Sequence, residues 1–561
     1  MDLTEEAKAP NSPLAAHAAV QAKLDAGAPG AARALLDASI VRWPGNPKLL
    51  LLKGELLERQ AQPREAALHY AALMSDPAIA VWASGRLATL LKGDPLPLAD
   101  AAAVVRDVSR SDLDAKLKGA LLNALLSHDD GEGTLLEIAG TLSSLFQYEL
   151  RLAVRRTERK DFAGALGVLE TARDAGRVSV RGAVLMAELL RLEGRLPDAI
   201  GVLEDLLPQH GDQPELLRQL TRMLQRAGDY AREAEIFAQA ARRWPQDWML
   251  LHRLNRLPMA PQRLKEIFAI FDAGAGEALD RNERYRFQFA LAALQVGEVA
   301  RGIALLERKY EEPTSILAVP VRKALRARPA AGWLESSRLS DDRTKDVQIA
   351  AGPGARASVV LTTGIAFGFL PLAFVDTLFA AHGLNVIYLR DFRERAYLRG
   401  IASLGADEAE TIAALKSLVA ELGAKRTIVM GSSAGGFSAL RYGALMGADI
   451  AVSFSGPTAG VSYFDTAKVS AWNPDFFVKA LLEREGELPF DLVPLLSKAW
   501  PTKFIQFYGR DSPNDARQAK RLEGLPNVTL MAVPEVGDHF VVDHMIADGS
   551  FEALLGTLAS G

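Results

Sequence analysis

The feature that most constrains this chain is a change of hydrophobic pattern between residues 326 and 346. Before it, apolar residues recur at three and four positions among alanine, leucine, arginine and glutamate, the period of amphipathic helices. After it, β-branched and apolar residues collect in short unbroken runs. One hydrophobic core does not accommodate both patterns over 561 residues. The sequence therefore predicts a multidomain protein: residues 1–325 all-helical, 326–346 a linker, and 347–561 a separate α/β domain. The segments Arg326–Gly332 and Ser336–Arg343 are polar and aperiodic, as a linker requires. A chain starting near residue 345 is expected to fold alone.

The helical half repeats itself. Asp161-Phe162-Ala163-Gly164-Ala165-Leu166 is echoed by Arg195-Leu196-Pro197-Asp198-Ala199-Ile200, and Gly194 by Gly228 opening Gly228-Asp229-Tyr230. Gly30-Ala31-Ala32 aligns with Arg64-Glu65-Ala66 at the same offset of 34 residues. Trp43-Pro44 and Trp244-Pro245 read as repeat-closing breaks, because proline cannot continue a helix. A 34-residue helical period resembles the tetratricopeptide family. That resemblance implies a solenoid whose concave face holds a protein or peptide partner or presents a substrate; the plainer alternative is a structural arm or dimerisation surface.

In the second half, the runs Ser358–Thr363, Val386–Leu389, Thr427–Met430, Ile450–Phe454, Lys503–Tyr508 and Val528–Val533 alternate with helix candidates such as Asp407–Leu422 and Asn514–Leu522. Continuous hydrophobicity marks strands buried on both faces, so the fold class expected is a doubly wound, mostly parallel sheet.

Gly431-Ser432-Ser433-Ala434-Gly435 follows one such strand and opens a helix over Ala434–Met446. The pattern G-x-S-x-G is weak alone, but at a strand–turn–helix junction it describes a sharp turn that lifts a serine hydroxyl above the sheet. Ser433 is the candidate nucleophile. It needs a base, and His539, in Gly537-Asp538-His539-Phe540 past the last strand, is placed to serve. His544 is its rival, deeper in the following helix; the five histidines of the helical half are assigned to surface or packing, and His382 falls near a helix end, away from any strand's C-terminal edge. The imidazole in turn needs a carboxylate to fix its tautomer. Asp511, after the penultimate strand, is the candidate, in preference to Asp538 or Asp543.

Residues 345–561 with these motifs resemble the α/β-hydrolase family, in which the order Ser433, Asp511, His539 is the usual one. The resemblance implies an oxyanion hole from the N–H of Ala434 and one from the Thr363–Gly368 loop, either Gly364 or Ile365. Arg390-Asp391, at a strand end, is a candidate for holding an anionic or polar substrate group; a loop-capping salt bridge is the equal alternative. Asp538-His539 and Asp543-His544 match no common zinc spacing, so no metal and no cofactor is expected.

Composition narrows the classes. A charged fraction of 24% and a net charge of −4, without any dense basic run, argue against a nucleic-acid partner. The absence of cysteine excludes thiolate nucleophiles and fits a reducing compartment. No membrane span is expected, since no run approaches the ~20 apolar residues that one requires, and the acidic start is no secretory signal. A cytoplasmic serine hydrolase of esterase type, acting on an acyl ester, is the function expected. An acyltransferase using the same three residues, or a non-catalytic interaction protein, are the alternatives.

Overall fold

The computed structural model describes residues 10–92, 96–109, 122–126, 132–133, 148–327, 336–340, 342–364, 366–392, 396–459 and 491–560. The chain forms two compact units, Met1–Leu189 and Leu190–Gly561.

The described part of the first unit is helical. Helices Pro13–Asp25, Pro29–Arg42, Pro47–Arg59 and Pro63–Leu73 each begin on proline, whose fixed φ suits a first helical position and whose missing N–H costs nothing there. Ser12 and Asn46 cap two of them by accepting from the amides of Ala15 and Leu49. Starts 13 and 47, and 29 and 63, are each 34 residues apart, so the sequence period is carried into the helices. It returns in Phe162–Asp174 of this unit and in Leu196–Glu204 and Tyr230–Arg243 of the second. The left-handed turn residue before these helices recurs at the same spacing: Lys160 (φ 65°), Gly194 (φ 76°) and Gly228 (φ 74°). Gly54 shows what small residues do here, since a Cβ on it would lie 2.3 Å from the Tyr70 ring.

The second unit contains a seven-stranded sheet. Its strands are β1 (Val347–Ala350), β2 (Ala357–Thr363), β5 (Leu384–Arg390), β6 (Thr427–Ser432), β7 (Ile450–Phe454), β8 (Lys503–Gly509) and β9 (Val528–Val533). A small hairpin, β3 (Ala366–Phe367) and β4 (Leu370–Pro371), stands apart. The order is β1-β5-β2-β6-β7-β8-β9, with β1 antiparallel to β5 and every other pair parallel. Six of these strands were expected; β1, a short edge strand, was not.

Both faces of the sheet are covered over its inner strands, as the unbroken apolar runs required, whereas the edge strand β9, expected to be buried on both faces, has no buried residue. Val359, Leu361, Val386, Met430 and Val452 pack under helices Leu372–Ala381, Val541–Asp548 and Ser550–Ser560. Their neighbours Val360, Ile387 and Val429 point the other way, onto Ile412 and Leu415 of Glu408–Glu421 and Tyr442 of Ala434–Met446.

The helices from 283 to 326 belong to this same unit. Phe287, Leu291, Leu294, Leu306 and Val321 share one core with the sheet residues Leu361 and Met430, and helix Thr314–Arg326 lies against Val541–Asp548. The expected break at 326–346 therefore falls inside a compact unit. Its described residues are anchored. Arg338 donates from its backbone and guanidinium to the fully buried Asp376, at 2.8 Å each, and Arg343, 1% exposed, reaches Gln295. Two of the arginines that make this stretch read as a linker are thus held by partners within the unit, Arg343 buried and Arg338 part-buried.

Candidate active site

Ser433 sits at the C-terminal end of β6, the central strand, and caps helix Ala434–Met446 with φ 55° and ψ −126°. A non-glycine residue there is strained by roughly 1–3 kcal/mol and needs its surroundings to hold it. The neighbouring glycines make that possible. A Cβ at 435 would lie 2.1 Å from the Thr362 carbonyl oxygen, one at 431 2.2 Å from that of Gly435, and one at 436 2.5 Å from Ser453 Oγ. The Ser433 amide donates to Phe454 O across the top of the sheet, and the Thr362 hydroxyl donates to Gly435 O at 2.7 Å.

His539 follows β9, as expected. Its Nε2 is 2.8 Å from Ser433 Oγ and its Nδ1 2.9 Å from Asp515 Oδ1. With the ring proton on Nδ1, the imidazole donates to Asp515 and accepts from Ser433. The carboxylate is thus Asp515 and not Asp511. Asp511 is exposed in the turn just past β8, where its amide donates to Val536 O. Asp515 lies four residues further, in the first turn of Pro513–Lys520, 4% exposed, where the helix N-terminus favours a negative charge. The signal was in Ser512-Pro513-Asn514-Asp515: proline at the first helical position and an acid at the third.

The two other acids have separate work. Asp538 accepts from the Phe540 amide at 2.7 Å and pairs with His544 Nε2 at 2.9 Å, which also accounts for the rival histidine. Asp543 is fully buried and accepts from the Phe369 amide at 2.9 Å. Gly368 (φ 63°) lies so close that a Cβ there would stand 2.1 Å from Asp543 Oδ2. Burial pushes the Asp543 carboxyl up to about 7, opposed by the Phe369 N–H and by His544, and assisted by Asp538. Among the described residues no cluster of histidines and carboxylates suits a metal ion.

That shift has a sign. An acid held protonated in the folded chain and ionised when unfolded stabilises at low pH, and the contribution is lost as pH rises through about 7. The folded chain should therefore lose stability, relative to Asp543→Asn, between about pH 4 and about pH 7, by up to ~1.4 kcal/mol per pH unit, and level off above that. Paired denaturant melts across that range measure it; parallel curves would contradict it.

Of the expected oxyanion donors, Ala434 is the first residue of its helix, a position whose N–H has no intrahelical acceptor. Gly364 follows β2 and lines a cavity of about 270 Å³, whereas Ile365 lies outside the described residues. Tyr397, not anticipated from sequence, fixes the start of this loop: its buried hydroxyl donates to Thr363 O at 2.5 Å. Arg390 and Asp391 line the same cavity, but their hydrogen bonds favour the loop-holding alternative. Arg390, 2% exposed, donates to the carbonyls of Asp342 and Lys345, and Asp391 accepts from the Tyr397 amide. The opposite wall comes from the helices, with Gln225, His252, Asn255 and Gln288.

Comparison with models of known families finds no match, and comparison with curated proteins finds none. Among solved structures, the chain is similar to a carboxylesterase of the ammonia-oxidizing thaumarchaeon Nitrososphaera gargenis: 18% identity over 38% of this chain and 93% of that one, TM-score 0.28. It is similar to an alpha/beta hydrolase enzyme from the metagenome of lagoon sediments of Mar Chica, Morocco, at 20% identity over 38% and 92%, TM-score 0.26. A 2,6-dihydroxy-pseudo-oxynicotine hydrolase gives 16% identity over 57% and 91%, TM-score 0.33. No described helix is long and apolar enough to cross a membrane.

Proposed function

We propose that this chain is a serine hydrolase of the α/β-hydrolase type acting on ester bonds, with Ser433 as nucleophile, His539 as base and Asp515 as the carboxylate that orients it. The observation that carries the reading is the unbroken relay from Ser433 Oγ through both imidazole nitrogens to Asp515, built on a serine held at positive φ.

The chemistry follows from those atoms. Ser433 Oγ adds to the ester carbonyl carbon while its proton passes to His539 Nε2. The oxyanion lies at the N-terminus of Ala434–Met446, where the Ala434 N–H and a Gly364-side donor stabilise it, typically by ~3 kcal/mol each. The C–O bond then breaks, and His539 returns the proton to the departing alcohol. Water, deprotonated by the same imidazole, releases the acid and restores Ser433. An acceptor alcohol in place of water would make the product a new ester, the transferase alternative. The 34-residue helical period supports a tetratricopeptide-like role for the first part of the chain, in binding a partner or presenting the substrate.

The test is covalent. An alkyl fluorophosphonate should form one adduct per chain, absent from Ser433→Ala and retained by Ser432→Ala.

A further inference from the structure

A second cavity, of about 380 Å³, opens where the helices meet the sheet's loops. Trp248, Phe287 and Leu317 from the helices, with Phe540 from the loop after β9, form an apolar body. Phe540 is the residue next to the base His539. Two arginines, Arg256 and Arg284, stand in the same wall, and among the described residues no Asp or Glu lines it. Arg284 lies over the Trp248 ring, 5.4 Å from its centroid, which orders the guanidinium without neutralising it. Arg256 donates to His252 Nε2. Burial and the Arg256 charge push the His252 imidazole down to about 4, so it accepts as a neutral ring, while burial also lowers the Arg256 guanidinium, which a ligand's negative charge would offset.

Two guanidiniums beside an aromatic surface, with no carboxylate among the described lining residues, suit a ligand that brings both an apolar body and a negative charge. The position relative to His539 says which half of the ester that is. The base must return its proton to the leaving oxygen, so the alcohol portion leaves on the imidazole side, where Phe540 borders the cavity.

We infer that this cavity binds the alcohol portion of the ester, and that the preferred alcohol is an apolar chain ending in a carboxylate, seated on Trp248, Phe287 and Phe540 and paired with Arg256 and Arg284. The inference rests on the hydrolase reading for its orientation, while the binding it predicts does not need turnover.

The experiment uses the full chain carrying Ser433→Ala, titrated by calorimetry with 6-acetoxyhexanoate and with its neutral counterpart, hexyl acetate. The carboxylate should tighten binding by about tenfold or more, and adding Arg256→Gln and Arg284→Gln should bring the two ligands to within about twofold of each other. Equal binding of both ligands, or a preference that survives the double substitution, overturns the inference. In the chain with Ser433 intact, kcat/KM should show the same preference. Fluorophosphonate labelling of that chain separates the two readings: labelling without discrimination refutes the cavity assignment alone, and discrimination in binding without labelling refutes the hydrolase reading alone.

Discussion

Replacing Asp515 with asparagine is expected to lower ester turnover by as much as ~10⁴ while leaving the fold intact, because an amide at that site no longer selects the imidazole tautomer that accepts from the serine. Asp515 is buried, and its Oδ1 stands 2.9 Å from His539 Nδ1. An asparagine of the same shape offers the ring either its carbonyl or its NH₂ group, and only the first keeps the proton on Nδ1. It also removes the charge that stabilises the imidazolium in the transition state. Asp511→Asn is expected to stay within about twofold of the unsubstituted rate, since an exposed carboxylate outside the relay has little to lose. Steady-state kcat, with circular dichroism as the folding control, separates the two. A large loss at Asp511 beside a near-normal rate at Asp515 would reverse the assignment.

A chain beginning at residue 345 is expected to be insoluble or molten, contrary to what the sequence pattern implies. The cut removes Phe287, Leu291, Leu294, Leu306, Val321 and Leu325 from the core beneath the sheet, each no more than 3% exposed. At ~1.5–3 kcal/mol per buried side chain, the loss for these six is roughly 9–18 kcal/mol, as large as the whole stability of a typical domain. The cut also removes Arg338, leaving the buried Asp376 carboxylate with the Tyr388 hydroxyl but without its charged partner. Soluble yield and a cooperative thermal transition are the readouts. A well-folded product with a sharp transition would show that the sheet domain does not need the helices from 283 to 326.

These two predictions mark where sequence reasoning succeeded and where it stopped. The turn at Ser433 was legible because its requirements are local: a strand before, a helix after, and glycines where Thr362 and Ser453 leave no room for a side chain. The helix at Glu408–Glu421 was legible for the same reason, with Asp407 capping it by accepting from the Glu410 amide. Asp515 was not, because two aspartates four residues apart follow the same strand. Which one meets the histidine depends on where the next helix begins and which way its first turn faces. The allegiance of helices 283–326 was hidden more deeply. A three-to-four period reports that one face is buried, and says nothing of whether a second helix or a sheet buries it. The polar stretch at 336–343 misled for a related reason: Arg338 and Arg343 look like solvated linker residues until Asp376 and Gln295, more than thirty residues away in sequence, are seen to meet them. Asp543 and Tyr397 act on the loop after β2 through contacts just as distant.

The most direct measurement of the central claim is to map the fluorophosphonate adduct to its residue. Trypsin should release it on the peptide Thr427–Arg441, which carries Ser432, Ser433 and Ser438, and fragmentation should place the phosphorus on Ser433. That result is the one an activated serine at the head of the His539–Asp515 relay predicts. An adduct on Ser432 or on a serine outside this peptide, or labelling that persists in Ser433→Ala, would contradict it.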